Sequence, residues 1–233
     1  MNRTPPSKST GREITEKAVE AGLSMIPVAG GPAAVAFAYA VGRGYSRRLQ
    51  AWLTQLAEAV EDLTNQAEDL DIETLAKNED FLDAVATATR AAERTHQDIK
   101  IEALRNAVLN AALPTAPDTD TQMMFLRWVD EFTGSHLRLL TVLNDPPRWF
   151  GHRNLERPDV YAGARSHMVE RALPELAGRR EFYDQLLRDL NSAGMTVISS
   201  LHGLQTGASL MDATTTETGK RFIAFISDPR DSR

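Results

Sequence analysis

The sequence of 233 residues contains no cysteine. This absence excludes a disulfide framework, a thiolate metal site, a cysteine nucleophile and dithiol redox chemistry. With 26 Lys and Arg against 32 Asp and Glu, the chain also lacks the excess of positive charge that polybasic nucleic-acid binding requires. The amino end, MNRTPPSKST, is polar and contains two prolines, so we predict no signal peptide and expect a cytoplasmic protein.

The motifs of common enzyme classes are missing as well. The five histidines are scattered, and His167-Met-Val-Glu-Arg lacks the second histidine of a zinc-protease helix. Gly42-Arg-Gly44 is not continued at dinucleotide-binding spacing, Lys220 lies in no phosphate-binding loop, and there is no Gly-x-Ser-x-Gly elbow. We therefore predict no catalytic residue, no metal site, no cofactor and no enzymatic activity.

Hydrophobic periodicity and chain breakers predict a mainly α-helical protein. Residues 1–9 are expected to form a disordered tail, and the capping box Thr10-Gly-Arg-Glu13 begins a helix. Residues 10–113 are predicted to form a helical bundle that includes an apolar segment at 21–42. The stretch 114–120, Pro-Thr-Ala-Pro-Asp-Thr-Asp, is the predicted linker to a second domain at 121–233.

The second domain is predicted to be α+β. Helices are expected at about 119–132, from Ser135, at 163–173, at 179–193 with Gly194 as its C-terminal cap, and at 216–226, with a loop at 145–158. Met195-Thr-Val-Ile-Ser-Ser reads as a strand, and Ala208-Ser-Leu-Met reads as its return strand. Two strands this short cannot stand alone, so they must lie on the helices.

This order of helices, a two-stranded wing and a closing helix resembles a winged helix-turn-helix domain over about 135–227. The leucine-rich opening helix and the closing segment Thr216-Glu-Thr-Gly-Lys-Arg-Phe-Ile-Ala-Phe-Ile226 carry this resemblance. The chain is also similar to helical proteins of bacterial phage-defence loci, among them the abortive-infection alpha family. That similarity lies in Lys100-Ile-Glu-Ala-Leu-Arg-Asn-Ala-Val-Leu-Asn110 and in Phe125-Leu-Arg-Trp-Val-Asp-Glu-Phe-Thr. It implies a role in anti-phage defence.

The most unusual segment is a run of 22 uncharged residues between Glu20 and Arg43. As one helix it would be about 33 Å long, against a hydrocarbon core of about 30 Å. The prolines and glycines at its centre oppose permanent insertion, because they leave backbone carbonyls that hydrocarbon cannot hydrate. Two interpretations stay open. The segment is either a buried hairpin of the bundle, or a stored element that enters a bilayer on activation.

The second interpretation assigns a role to each part of the run and its flank. The predicted membrane-inserting residues are Leu23, Met25, Ile26, Val28, Val35, Phe37, Tyr39 and Val41. The predicted hinge consists of Pro27, Gly30, Gly31 and Pro32. A basic flank typical of a cytoplasmic membrane face follows at Arg43, Arg47 and Arg48.

Two further sets of residues are predicted to bind partners. Leu49, Leu53, Leu56, Val60 and Leu63 follow heptad spacing, which fits either a bundle helix or a self-associating coiled coil. Arg148, Trp149 and Phe150 combine residue types enriched at interfaces, although Trp149 fits a core position equally well.

Together these features predict a membrane-perturbing, pore-forming effector of bacterial anti-phage defence. It would rest in the cytoplasm, form homo-oligomers on sensing a phage or host protein, and enter the inner membrane. The alternative is a cytosolic winged-helix regulator or adaptor that binds DNA or protein. The predicted recognition helix at 179–189 has as many acidic as basic residues, so it is poorly suited to DNA.

Overall fold

The structure, a computed structural model, describes residues 32–66 and 70–232, with the side chains of 42–66 and 70–230. Its first element is a long helix, α1 (Pro32–Gln66). The chain divides within this helix into two compact units, between Ala57 and Glu58. The predicted linker at 114–120 lies inside the second unit, because the helices before and after it contact one another.

The second unit is mainly helical and contains one small sheet. After a short helix, α2 (Ile72–Leu75), the larger helices follow in close succession. They are α3 (Glu79–Arg94), α4 (Asp98–Ala111), α5 (Thr119–Glu131), α6 (Gly134–Asn144), α7 (Pro146–His152), α8 (Arg165–Ala172), α9 (Arg180–Ser192) and α10 (Glu217–Ile226). Short 3-10 turns occupy Pro174–Leu176, Ser209–Met211 and Pro229–Ser232. The predicted mainly α class with two short strands is confirmed.

Helix α4 lies at the centre of this unit. It contacts α3, α5 and α10, and most of its residues from Ala103 to Ala111 are buried. A helix with apolar residues on nearly all sides must be covered from several directions, which explains this position. Two asparagines of α4 also hold the end of α10, since the amide of Asn106 donates to Ile226 O at 3.1 Å and that of Asn110 donates to Phe225 O at 2.9 Å.

Capping residues set three of the helix boundaries that the sequence predicts. The carboxylate of Asp118 accepts a hydrogen bond from Thr121 N at 3.0 Å, and Thr216 Oγ1 accepts one from Gly219 N at 3.0 Å. Each bond satisfies a backbone amide that has no partner within its own helix. Gly194 follows α9 with φ of 71°, the left-handed geometry of a helix cap. The start of α5, the end of α9 and the start of α10 therefore agree with the predictions.

The strands lie elsewhere than predicted. Strand β1 (Ala162–Ala164) pairs antiparallel with β2 (Leu204–Thr206), so that Ala162 faces Thr206. Residues 195–200 form only an isolated bridge, from Thr196 to Thr215, and the predicted return strand forms a 3-10 turn. The predicted hairpin is wrong, because the pairing partner of β2 comes from the segment before α8.

The side chain of Arg165 connects these two segments. It is 3% exposed, and its guanidinium donates to Leu210 O at 2.8 Å, Asp212 O at 2.9 Å, Ser209 O at 2.6 Å and Gln205 Oε1 at 3.0 Å. One buried cation at the start of α8 thus holds the whole segment that follows β2.

Candidate functional site

Only part of the predicted membrane segment falls among the described residues. Leu23, Met25, Ile26, Val28, Pro27, Gly30 and Gly31 lie outside them. Pro32 is the first residue of α1, which is the position where its missing amide hydrogen costs least. Val35, Phe37, Tyr39 and Val41 lie within α1. Across 32–66 and 70–232, no helix combines the length and the apolar character needed to span a bilayer.

The predicted basic flank lies on the same helix. Arg43 and Arg47 are exposed, whereas Arg48 is half-buried. The guanidinium carbon of Arg48 lies 4.6 Å from the ring centre of Tyr45, which is 49% exposed. Such a cation–π contact fixes the orientation of the arginine head.

The predicted heptad residues divide into three groups. Leu56 and Leu63 are buried, Leu49 and Val60 are half-buried, and Leu53 is 46% exposed. Trp52, which is not part of the heptad, is 3% exposed. The buried side of α1 therefore runs through Trp52, Leu56 and Leu63 rather than through every heptad position, and Leu53 is the member most open to a partner.

The predicted loop at 145–158 begins instead with helix α7. Pro146 occupies the first turn, and Asp145 Oδ1 accepts a hydrogen bond from Arg148 N at 2.9 Å. Helical geometry then turns Trp149 and Phe150 inward, so that they are 7% and 0% exposed. Both rings are therefore buried, which agrees with the alternative interpretation of Trp149 as a core residue, and their predicted partner-binding role stays a prediction.

A cleft opens beside these two rings, between the end of α6, helix α7 and helix α10. Its volume is about 360 Å³, within the usual range for small-molecule sites. Its walls include the basic residues Arg148, Arg153 and Lys220, the imidazole of His152 and the apolar residues Ile223 and Ala224. Sequence analysis selected Arg148 of this set. Lys220 could not be added from the sequence, because nothing local indicates that α10 lies beside α7.

The cations of this cleft are positioned by the protein and remain open to solvent. The Arg153 guanidinium carbon lies 3.4 Å above the ring centre of Trp149, whose Nε1 donates to Ala172 O at 3.1 Å. Among the described residues, no carboxylate lies within ion-pair distance of Arg148, His152 or Arg153. Lys220 lies 3.6 Å from Glu217, which is not part of the cleft wall.

A second polar group is buried where α5 meets α6. The Nδ1 atom of His136 accepts a hydrogen bond from Thr133 N at 3.1 Å, so Nε2 carries the proton and donates to Asp189 Oδ2 at 3.2 Å. Burial lowers the pKa of His136 from its ordinary value of 6.5, and Asp189 opposes this shift without cancelling it. This neutral histidine caps α6 and joins it to α9, a structural role that sequence analysis missed.

A third polar group joins α9 to the segment before β2. His202 Nε2 lies 2.8 Å from Asp184 Oδ1, and the ring of Tyr183 lies beside the imidazole at a centroid distance of 5.9 Å. Burial raises the pKa of Tyr183, which is 3% exposed. This group holds the segment at 200–202 against α9.

Within the described part of the chain, no three His, Asp or Glu side chains come close enough together to hold a metal ion. The features above define a mainly α-helical protein with a two-stranded antiparallel sheet and a cationic cleft. Comparison of the chain with protein-family models, with curated proteins and with solved structures finds no match. The resemblances to the winged helix and to the abortive-infection alpha family therefore stay predictions.

Proposed function

We propose that this protein is a membrane-perturbing effector in which residues 21–42 act on the bilayer and the helical unit after Glu58 senses a trigger. The single observation that carries this proposal is the helical state of residues 32–42. Positions 35 and 39 lie almost opposite positions 37 and 41 around the axis, at about 100° per residue. Uncharged residues therefore surround this part of α1. A helix that is apolar on all sides requires cover by protein or by lipid.

The arginines that follow support the same proposal. Arg43 and Arg47 are exposed at the point where the uncharged run ends. Lysines and arginines at this position are typical of the cytoplasmic end of a membrane segment, where they also attract anionic lipids. The proposed activity is that of a protein that rests in the cytoplasm, assembles into oligomers and enters the inner membrane. Anti-phage defence is its proposed context.

Dye release from anionic liposomes tests the membrane role. The strongly apolar residues of the run contribute roughly 2 to 4 kcal/mol to insertion, and these are Leu23, Ile26, Val28, Val35, Phe37 and Val41. One Asp at a central position of the run costs about 3 kcal/mol. We therefore expect Phe37→Asp to abolish the leakage that the wild type causes. Ala51→Asp is the matched control, because it places the same charge at an exposed position of the same helix outside the heptad residues. Absence of leakage from oligomeric wild-type protein would end the proposal.

A cytosolic regulator or adaptor with a winged-helix-like domain is the second candidate function. It is favoured by apolar residues that are exposed around the small sheet, since Tyr161 is 97% and Leu204 is 80% exposed. Exposed apolar residues grouped at two paired strands suit a protein partner better than DNA. The arginines at the start of α9 are also engaged, because Arg179, just before the helix, lies over Phe182 and Arg180 faces Asp184 at 3.7 Å. If the oligomeric wild-type protein releases no dye from liposomes, the regulator or adaptor becomes the leading candidate function.

A further inference from the structure

We infer that the cleft between α6, α7 and α10 binds a phosphate monoester. Its role as the trigger site rests on the function proposed above, but binding itself does not. The cleft brings together side chains that are far apart in the sequence, since Arg148, His152 and Arg153 belong to α7 and its end and Lys220 belongs to α10. Convergence of cations from two elements on one cavity is what distinguishes this place from an ordinary charged surface.

The charge of the cleft fits this ligand. Arg148, Arg153 and Lys220 supply three positive charges, and Asp145 is the one carboxylate among the described residues that line the cavity. Glu217 lies outside the cavity wall, 3.6 Å from Lys220, and offsets part of the lysine charge. The Asp145 side chain is engaged in capping α7 through the bond to Arg148 N. A phosphate monoester carries a charge of about −1.5 to −2 at neutral pH, which balances this surplus. Arginine forks match the phosphate oxygens in pairs, as a single lysine does not.

The volume and the apolar surface of the cleft indicate a ligand that is larger than the phosphate group itself. A volume of about 360 Å³ is many times the share of one water molecule, which is about 30 Å³. Ile223 and Ala224 provide apolar surface on the α10 side, opposite the arginines of α7. A ligand with a charged phosphate and a less polar remainder satisfies both walls.

The same chemistry occurs in soluble metabolites and in the headgroup of phosphatidic acid, so the test has two arms. In the first arm, inorganic phosphate and glycerol 3-phosphate are titrated into the full chain by calorimetry. In the second, the protein is floated with phosphatidylcholine vesicles that contain or lack phosphatidic acid. We expect saturable binding in at least one arm, weakened about tenfold or more by Arg148→Gln and by Lys220→Gln, because each removes a charged hydrogen bond.

Arg188→Gln is the matched control, since Arg188 is exposed on α9 and does not line the cleft. It should leave binding unchanged in both arms. Binding that only vesicles support, and that Arg148→Gln removes while Phe37→Asp does not, identifies the lipid headgroup as the source. The inference is overturned if neither arm shows saturable binding, if Arg148→Gln and Lys220→Gln bind as the wild type does, or if Arg188→Gln is equally impaired. None of these results depends on leakage, so this inference and the membrane role fail separately.

Discussion

Replacement of Arg165 by methionine tests how the small sheet is held. Methionine preserves most of the buried apolar stem but removes every donor to the segment after β2. Four acceptors then lose their partner, three of which are the backbone carbonyls of Ser209, Leu210 and Asp212. Hydrogen bonds to a charged group contribute about 1.5 to 3 kcal/mol each, so their sum sets an upper bound of roughly 6 to 12 kcal/mol.

The net loss is smaller than this bound. Burial lowers the pKa of Arg165, with Asp212 opposing the shift, which shows that the folded protein bears a cost for holding the charge. Part of the segment is also open to water, since Asp212 is exposed. We therefore expect Arg165→Met to lower the free energy of unfolding by about 3 kcal/mol.

Urea denaturation followed by circular dichroism measures this change, with an unaltered m-value as evidence that the same unit unfolds. The control is Arg171→Met on the same helix. Arg171 is exposed and pairs with the exposed Glu156, so its loss should cost less than about 1 kcal/mol. Equal stability of the two variants would refute the assignment of Arg165 as the residue that holds the segment.

Two further predictions concern packing and pH. A Cβ at Gly219 would lie 2.3 Å from Met195 O, so Gly219→Ala should destabilise the fold by about 1 to 3 kcal/mol in the same urea assay. A Cβ at Gly151 would meet open space, so Gly151→Ala should leave the free energy of unfolding unchanged or raise it. Destabilisation by both substitutions would contradict this reasoning. Because burial lowers the pKa of His136, the folded state binds fewer protons than the unfolded state, and stability should fall as pH drops below about 6.5. His136→Gln should flatten this dependence in denaturation curves measured from pH 7 to pH 5, whereas an unchanged slope would exclude His136 as its source.

Local signals were sufficient for most helices. Thr216 and Gly194 act through atoms a few residues away, so their effect on a helix end can be read from the sequence alone. The same logic applies to Asp145 followed by Pro146, an N-cap and a first-turn proline that predict a helix start. Sequence analysis treated this stretch as a loop because its prolines and arginines resemble a connecting segment.

The sheet and the cleft could not be predicted in this way. The strands β1 and β2 are three residues each and lie far apart in the chain, and the buried Arg165 follows β1 directly and donates to Gln205 of β2. A sequence window shows an arginine at that position but not the carbonyls that surround it. The cleft could not be predicted for the same reason, since Lys220 and Arg148 line one cavity only because α10 packs against α6.

Both walls of the cleft are fixed to the core before any ligand arrives. On one side, Phe150 is fully buried and the indole of Trp149 is bonded to Ala172 O. On the other, Phe222 is fully buried and Asn110 donates to the carbonyls at the end of α10. Binding therefore needs little ordering of the backbone, which is the main cost that a pre-formed site avoids. It follows that substitution of an exposed cleft cation changes affinity through its charge and not through the fold.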